Sequence, residues 1–317
     1  MKIVIMGPGA MGSLFGGLLT RAGEELWLVG YEKDQVETIC SVGLTFEEKG
    51  ESQIIPMKAT PDVTSVGKAD LVIFFVKTYD MEKAVSDSLA LEKEDTIFLT
   101  LQNGLGNEDL ICNQIDRKKV MLGITGHGAT LLRPGHIRHA GWGKTFIGEL
   151  DHQITDRALR ITQMFSNAGI DTEVSSNIHN HVWGKLLVNV GINALTALTG
   201  FRNGQLVDYP ETLRLMERLV SEAAEVARRK GIYIEEDPID RVRNVAEATR
   251  ENRSSMGQDF DHRRQTEIDA INGAIVREAQ ELGIPVPFNQ AVTDLVKAIE
   301  KTFGQGLVVS SAERLKP

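Results

Sequence analysis

Along the first half of the chain, apolar residues gather in short unbroken runs. Ile3–Met6 is the first, followed by Glu25–Gly30 (ELWLVG), Ala69–Lys77 (ADLVIFFVK) and Thr96–Leu101 (TIFLTL). Runs of this length without polar interruption predict parallel strands covered on both faces. Lys119–Gly123, Gly135–Ala140 and Lys144–Ile147 read as further strands, Ile154–Ala168 has helical spacing of its apolar positions, and Gly169–Val174 closes the series. Strands alternating with helical segments predict a doubly wound α/β domain over residues 1–175. From Asn177 onward Pro and Gly thin out and apolar residues recur at three and four, as in Leu213, Met216, Leu219, Val220 and Ala223. The second domain, 176–317, is therefore predicted to be mostly helical, with breaks at Gly200, Pro210, Gly231, Pro238 and Gly283 to Pro287. From Gln305 the pattern loses all periodicity, which predicts a poorly ordered end.

Composition narrows the function. Among 317 residues, 42% are hydrophobic and 25% charged, with a net charge of -9. An acidic chain gives no electrostatic support to binding nucleic acid or a membrane surface. Two cysteines, Cys40 and Cys112, make neither a disulfide framework nor a metal motif, and no metal ligand set is expected. No apolar run approaches about 20 residues and no signal peptide is evident, so a cytoplasmic protein is expected.

The first strand runs directly into Gly7, Gly9 and Gly12, spaced G-x-G-x-x-G. The first glycine permits a tight strand-to-helix turn, the second lets backbone approach a pyrophosphate, and the third lets the helix sit close. Ala10 and Met11, at the start of that helix, supply unpaired amides at its positive dipole end. The stretch predicts a dinucleotide site. Other strand ends are the places to seek its remaining contacts: Lys77 would face a phosphate or ribose, or else be a solvated lysine, and Asn103 lies in the turn Gln102–Asn107. At the end of the second strand stand Gly30, Tyr31, Glu32 and Lys33. An acid there suits NAD and a base suits NADP, and these residues leave both open.

In the helical half, Lys185, Asn189 and Asn193 are spaced by four within an apolar segment, which puts them on one helical face. Two asparagines are poor helix formers and odd surface choices, so the stripe reads as the wall of a polar cleft. A lysine partly desolvated there has its pKa lowered towards what a general acid near neutrality requires. The segments Asn252–Asp259 and Arg264–Gly273 read equally as a solvated loop leading into a Ser-capped amphipathic helix and as a second polar wall.

Taken together, GPGAMGSLFG at 7–16, VKTYD at 76–80, LQNGLGN at 101–107, WGKLLVNVGINALTALTG at 183–200 and SSMGQDFDHRRQTEIDAINGAIV at 254–276 resemble the ketopantoate reductase (2-dehydropantoate 2-reductase) family, in the family's order over nearly the whole chain. The resemblance implies a Rossmann-type doubly wound sheet followed by a helical domain like that of hydroxyacid dehydrogenases. It further implies NADPH-dependent reduction of 2-dehydropantoate to (R)-pantoate, a step towards pantothenate and coenzyme A. By the same resemblance, Lys185 protonates the carbonyl oxygen and Glu267 holds a substrate hydroxyl. Asn189, Asn193, Ser255 and Asn252 bind substrate, and Asn103 and Lys77 border nicotinamide and ribose. The expected partner is a small keto acid and the expected state a monomer or homodimer. One departure is plain: where many members carry an arginine for the 2′-phosphate this chain has Tyr31, with Lys33 nearby, so NADH stays open beside NADPH. The competing readings are a reductase of another small 2-oxo or 3-hydroxy acid on the same scaffold, and a non-catalytic NAD(P)-sensing protein.

Overall fold

A computed structural model describes residues 1–303, and the expectation for the segment from Gln305 lies outside the described residues. The chain divides into two compact units, the first made of Met1–Gln102 and Gly106–Ile178, the second of Asn103–Leu105 and the residues from His179.

In the first unit, strands β1 (Lys2–Met6), β2 (Glu25–Val29), β5 (Lys58–Thr60), β6 (Leu71–Phe74), β7 (Ile97–Thr100), β8 (Val120–Thr125), β11 (Thr145–Glu149) and β12 (Thr172–Val174) form one sheet in the order β12-β11-β8-β7-β6-β1-β2-β5. Every neighbouring pair is parallel except β8 and β11. The order reverses between β1 and β6, and that reversal opens the crevice where such sheets take ligands. Helices α1 (Ala10–Arg21), α2 (Lys33–Val42), α3 (Met81–Ser88), α4 (Asn107–Cys112) and α5 (Asp156–Asn167) complete the unit. The uninterrupted runs are buried as expected: Ile3, Val4, Ile5, Leu71, Val72, Ile73 and Phe74 are all at 0% exposure.

A second, four-stranded sheet is a correction to the reading of one set of strands. It has the order β4-β3-β10-β9, with β3 at Leu44–Glu48, β4 at Glu51–Ile55, β9 at Gly128–Arg133 and β10 at His136–Gly141. The segment expected as strand 135–140 belongs here and not to the main sheet. The hairpin β3–β4 turns on Lys49 and Gly50, both at positive φ (51° and 85°), a two-residue turn whose twist matches the strands. Helix α1 lies against both sheets. A Cβ on Gly16 would come within 3.1 Å of Leu28 of β2, and one on Gly17 within 2.8 Å of Phe46 of β3.

Where the small sheet meets β8, His127 Nδ1 and His139 Nε2 stand 3.0 Å apart, both rings buried. His139 continues to Glu48 at 3.2 Å, Glu48 to Arg21 at 3.1 Å, and the Trp142 ring covers His139.

The second unit is helical. It comprises α6 (Ile178–Thr199), α7 (Gln205–Asp208), α8 (Pro210–Arg229), α9 (Pro238–Ala248), α10 (Ser255–Asp261), α11 (Asn272–Leu282) and α12 (Pro287–Glu300). Helix α6 corrects the view that no segment is apolar enough to cross a membrane. By length and composition it is, with a mean hydropathy of 1.2 over its best window, but 72% of that window is buried, which makes it the core helix of its unit. Val220, Val242 and Met216 close on its Gly191, where a Cβ would lie 2.8 Å from the two valines.

Burial pushes both His127 and His139 below the ordinary histidine value of 6.5, with the charge of His139 adding to the effect at His127 and Asp171 opposing it. The unfolded chain therefore takes up protons that the native state resists, and stability falls as pH drops through about 6.5. The melting temperature is expected to decline between pH 7.5 and 5.5, and that decline to shrink in His127→Phe. Calorimetric scans across the range check it, and an unchanged pH slope in the variant would remove the pair as its source.

Candidate active site

The turn after β1 has no freedom left in it. Gly7 sits at φ +104°, and a Cβ there would fall 2.7 Å from the Val76 amide nitrogen. A Cβ on Gly12 would fall 1.9 Å from the Gly7 carbonyl oxygen, whereas one on Gly9 meets no atom within 4 Å. Two glycines are thus required by the protein's own packing, and the middle one faces open space where a ligand's phosphates can approach. Gly9 is also the N-cap of α1 and gives its amides no side-chain acceptor, so the first-turn N–H groups around Ala10 and Met11 are available to an anion.

The loop is held from behind by Gln35, which the sequence did not single out. Its Nε2 donates to the Pro8 carbonyl at 2.8 Å, Ser13 Oγ donates to the same oxygen at 2.9 Å, and its Oε1 accepts from the Gly135 amide at 2.7 Å. The signal was available only as a polar residue at a buried position of α2, and nothing local distinguishes it from a surface glutamine. Beside the loop, the Gly7 amide donates to Val29 and the Phe75 amide to Met6, which keeps the ends of β2, β1 and β6 level. Lys77, half-buried, follows directly, and Gln102 Nε2 donates to Val76 at 2.6 Å.

At the end of β2 the expected cofactor residues differ in fate. Tyr31 is exposed, donates its hydroxyl to Asp87, and lies under Lys83 Nζ at 3.8 Å. Lys33 opens α2, is paired to Glu37 at 3.7 Å and is 81% exposed, so it does not reach back to the loop.

The second unit assembles the other candidates. Lys185 and Asn189 are half-buried and Asn193 is buried on α6. Burial lowers the Lys185 ammonium from its ordinary 10.5 to about 8, against an upward pull from the carboxylate of Glu267. The lysine and the glutamate are therefore electrostatic neighbours, although 82 positions separate them in sequence. Glu267 heads a short 3-10 turn at Ile268–Ala270, and the residues Asn103–Leu105 pack on that turn. The Leu105 amide donates to Ala270 at 3.0 Å, and a Cβ on Gly104 would lie 2.4 Å from the Ala270 oxygen. Asn103 is in this way grouped with Glu267 within the second unit.

The loop Asn252–Ser255 is fixed to the far end of α6. Arg253 donates to the carbonyls of Thr196 at 2.5 Å and Phe201 at 2.8 Å and pairs with Asp261. Ser254 caps α10 through the Gly257 amide and meets Thr196 Oγ at 2.6 Å. Because its neighbour does the capping, Ser255 is left exposed at the first position of α10, and Asn252 is exposed as well. Asn272 braces the Glu267 turn against α6: its Nδ2 donates to the Val190 carbonyl at 3.2 Å and to Asn289 Oδ1 at 3.0 Å, while Asn289 donates to Leu219 and Glu222. Arg253 and Asn272 fall within the polar segments expected from the sequence but without roles of their own, and Thr196 was not singled out, since each acts through contacts distant in sequence.

A lysine that is protonated at neutral pH but close to releasing its proton, with a carboxylate in electrostatic reach, is suited to donating a proton to a developing alkoxide. The family models for "Ketopantoate reductase PanE/ApbA" and "Ketopantoate reductase PanE/ApbA C terminal" match residues 3–152 and 177–300. The chain belongs to the ketopantoate reductase family. It is 36% identical to the 2-dehydropantoate 2-reductase of Halobacterium salinarum over 95% of this chain and 99% of that one. It is also 36% identical to the enzyme of that name from Pyrococcus horikoshii, over 96% of this chain and 99% of that one. Among solved structures, a ketopantoate reductase family protein of Ralstonia eutropha superposes with a TM-score of 0.89 at 33% identity, covering 96% of this chain and all of that one. A D-mandelate dehydrogenase, solved with NADH and anilino(oxo)acetate, gives the same TM-score at 29% identity and the same coverage.

The two glycines with opposite surroundings give a clean contrast. Gly9→Ala is expected to leave the melting temperature unchanged and weaken nicotinamide dinucleotide binding at least tenfold. Gly12→Ala is expected to lower both. Fluorescence titration of the reduced dinucleotide alongside thermal melts checks the pair, and tight binding by Gly9→Ala would mean that the open face is not the phosphate site.

Proposed function

We propose that the protein reduces the C2 carbonyl of 2-dehydropantoate to give (R)-pantoate, in the step that provides pantoate for pantothenate. The observation that carries this reading is Lys185, lowered to about 8 by burial and set beside Glu267. Bound at the glycine loop, a reduced nicotinamide dinucleotide supplies the hydride. Lys185 donates the proton that the carbonyl oxygen needs once hydride reaches its carbon, and it is recharged from solvent. Glu267 accepts a hydrogen bond from the substrate hydroxyl and holds Lys185 in its charged form. Asn189, Asn193, Ser255 and Asn252 orient the keto acid, and Lys77 and Asn103 border the ribose and nicotinamide.

A second reading, a reductase of a different 2-oxo acid, is favoured by the likeness to D-mandelate dehydrogenase at 29% identity. A panel of 2-oxo acids separates the two: negligible turnover of 2-dehydropantoate with robust turnover of another acid would select the second. A purely sensing protein has no use for a desolvated proton donor beside a carboxylate.

Lys185→Ala is expected to lower kcat by about 10²–10⁴, the usual contribution of a positioned general acid. For the native enzyme, kcat/KM is expected to fall as pH rises through about 8, where Lys185 of the free enzyme loses its proton. Because Glu267 raises the lysine, Glu267→Gln is expected to move that alkaline limb to lower pH and to raise KM for the keto acid. Steady-state pH profiles of the three proteins check both statements, and a limb that does not move would separate Glu267 from Lys185.

A further inference from the structure

The residues at the end of β2 point to the choice between the two reduced nicotinamide dinucleotides. In folds of this kind an acid about twenty residues beyond the last loop glycine accepts from the adenosine ribose. Glu32 stands twenty residues beyond Gly12. Its carboxylate is folded back over the end of the strand: a Cβ on Gly30 would lie 3.1 Å from Glu32 Oε2 and 2.0 Å from the Pro8 ring. Glu32 therefore stands beside the glycine loop, on the side where β2 ends.

The neighbouring charges agree with an uncharged partner. Asp80, the N-cap of α3, has its pKa raised first by its own desolvation and then by the negative charge of Glu32, with the charge of Lys83 pulling the other way, so the two carboxylates feel one another. Asp87 takes the hydroxyl of Tyr31. Of the nearby cations, Lys83 is paired with Asp87 at 2.6 Å while lying on the Tyr31 ring, and Lys33 is turned to Glu37. A 2′-phosphate would bring up to two further negative charges against Glu32 and Asp80, while Lys83 and Lys33 already face the carboxylates Asp87 and Glu37.

We propose that Glu32 accepts the adenosine ribose hydroxyls and that this chain prefers NADH over NADPH, departing from the NADPH that its family resemblance implies. The proposal rests on the reductase reading only in requiring that a nicotinamide dinucleotide binds at the glycine loop. Part of the expectation is independent of this chain, since the D-mandelate dehydrogenase of the same architecture was solved with NADH.

The test is direct titration of the purified protein with NADH and with NADPH, without any keto acid, following nicotinamide fluorescence. The wild type is expected to bind NADH at least tenfold more tightly. Glu32→Ser is expected to weaken NADH and strengthen NADPH, narrowing or reversing the ratio, with Glu32→Gln between them and all three melting alike. Tighter binding of NADPH by the wild type overturns the proposal, and loss of that binding in Lys83→Ala would give the phosphate to Lys83 instead. A ratio unmoved by Glu32→Ser also overturns it. Failure of both dinucleotides to bind overturns the reductase reading as well. A wrong keto acid cannot produce any of these results, because none is present.

Discussion

The approach of α1 to the Gly7 carbonyl is the tightest constraint in the first unit. With a hydrogen in place of a side chain at Gly12, the helix starts immediately behind β1; with a methyl group it would overlap the Gly7 oxygen at 1.9 Å. That spacing sets where α1 runs, and α1 in turn fills the space between two sheets, meeting Leu28 of one and Phe46 of the other through Gly16 and Gly17. Gln35 and Ser13 then fasten the loop by its Pro8 carbonyl. The geometry of the glycine loop is thus a by-product of close packing, held from behind by buried hydrogen bonds.

In the helical unit the equivalent constraint is electrostatic. An ammonium group removed from water is costly unless an opposite charge is near, and Glu267 supplies one. The two effects oppose each other and leave Lys185 titrating at about 8. For that balance to hold, the turn bearing Glu267 has to keep its position against α6, which is the office of the buried amide pair Asn272 and Asn289.

How much of this was legible depended on whether the cause was local. Continuous apolar runs such as Leu71–Phe74 are buried on both faces, so they announce central strands without further context. The short strands β3, β4 and β9 were missed because none is a continuous apolar run: Glu51, Ser52 and Gln53 of β4 are all exposed, and β3 and β9 mix apolar with half-buried polar residues. The i, i+4 stripe on α6 placed Lys185, Asn189 and Asn193 together because a helix has a fixed period. Glu267 came from resemblance alone, since its relation to Lys185 depends on a contact across 82 positions. The same stripe interrupts the apolar residues of α6, so the segment does not read as one long run, although its length and mean hydropathy match those of a membrane span. At the end of β2, residue types left the cofactor open, and only side-chain directions separate Glu32, folded back to the loop, from Lys33, turned outward.

The three residues Asn103–Leu105 carry a different kind of consequence. The chain leaves the first unit after Gln102, contributes this short strap to the second, returns at Gly106 and leaves again after Ile178. The helical half is consequently not a contiguous stretch of sequence. No single cut yields it whole: a fragment beginning at His179 lacks the backbone that donates to Ala270. An exchange of the C-terminal half alone would therefore set Ala270 against a strap that came from the other parent.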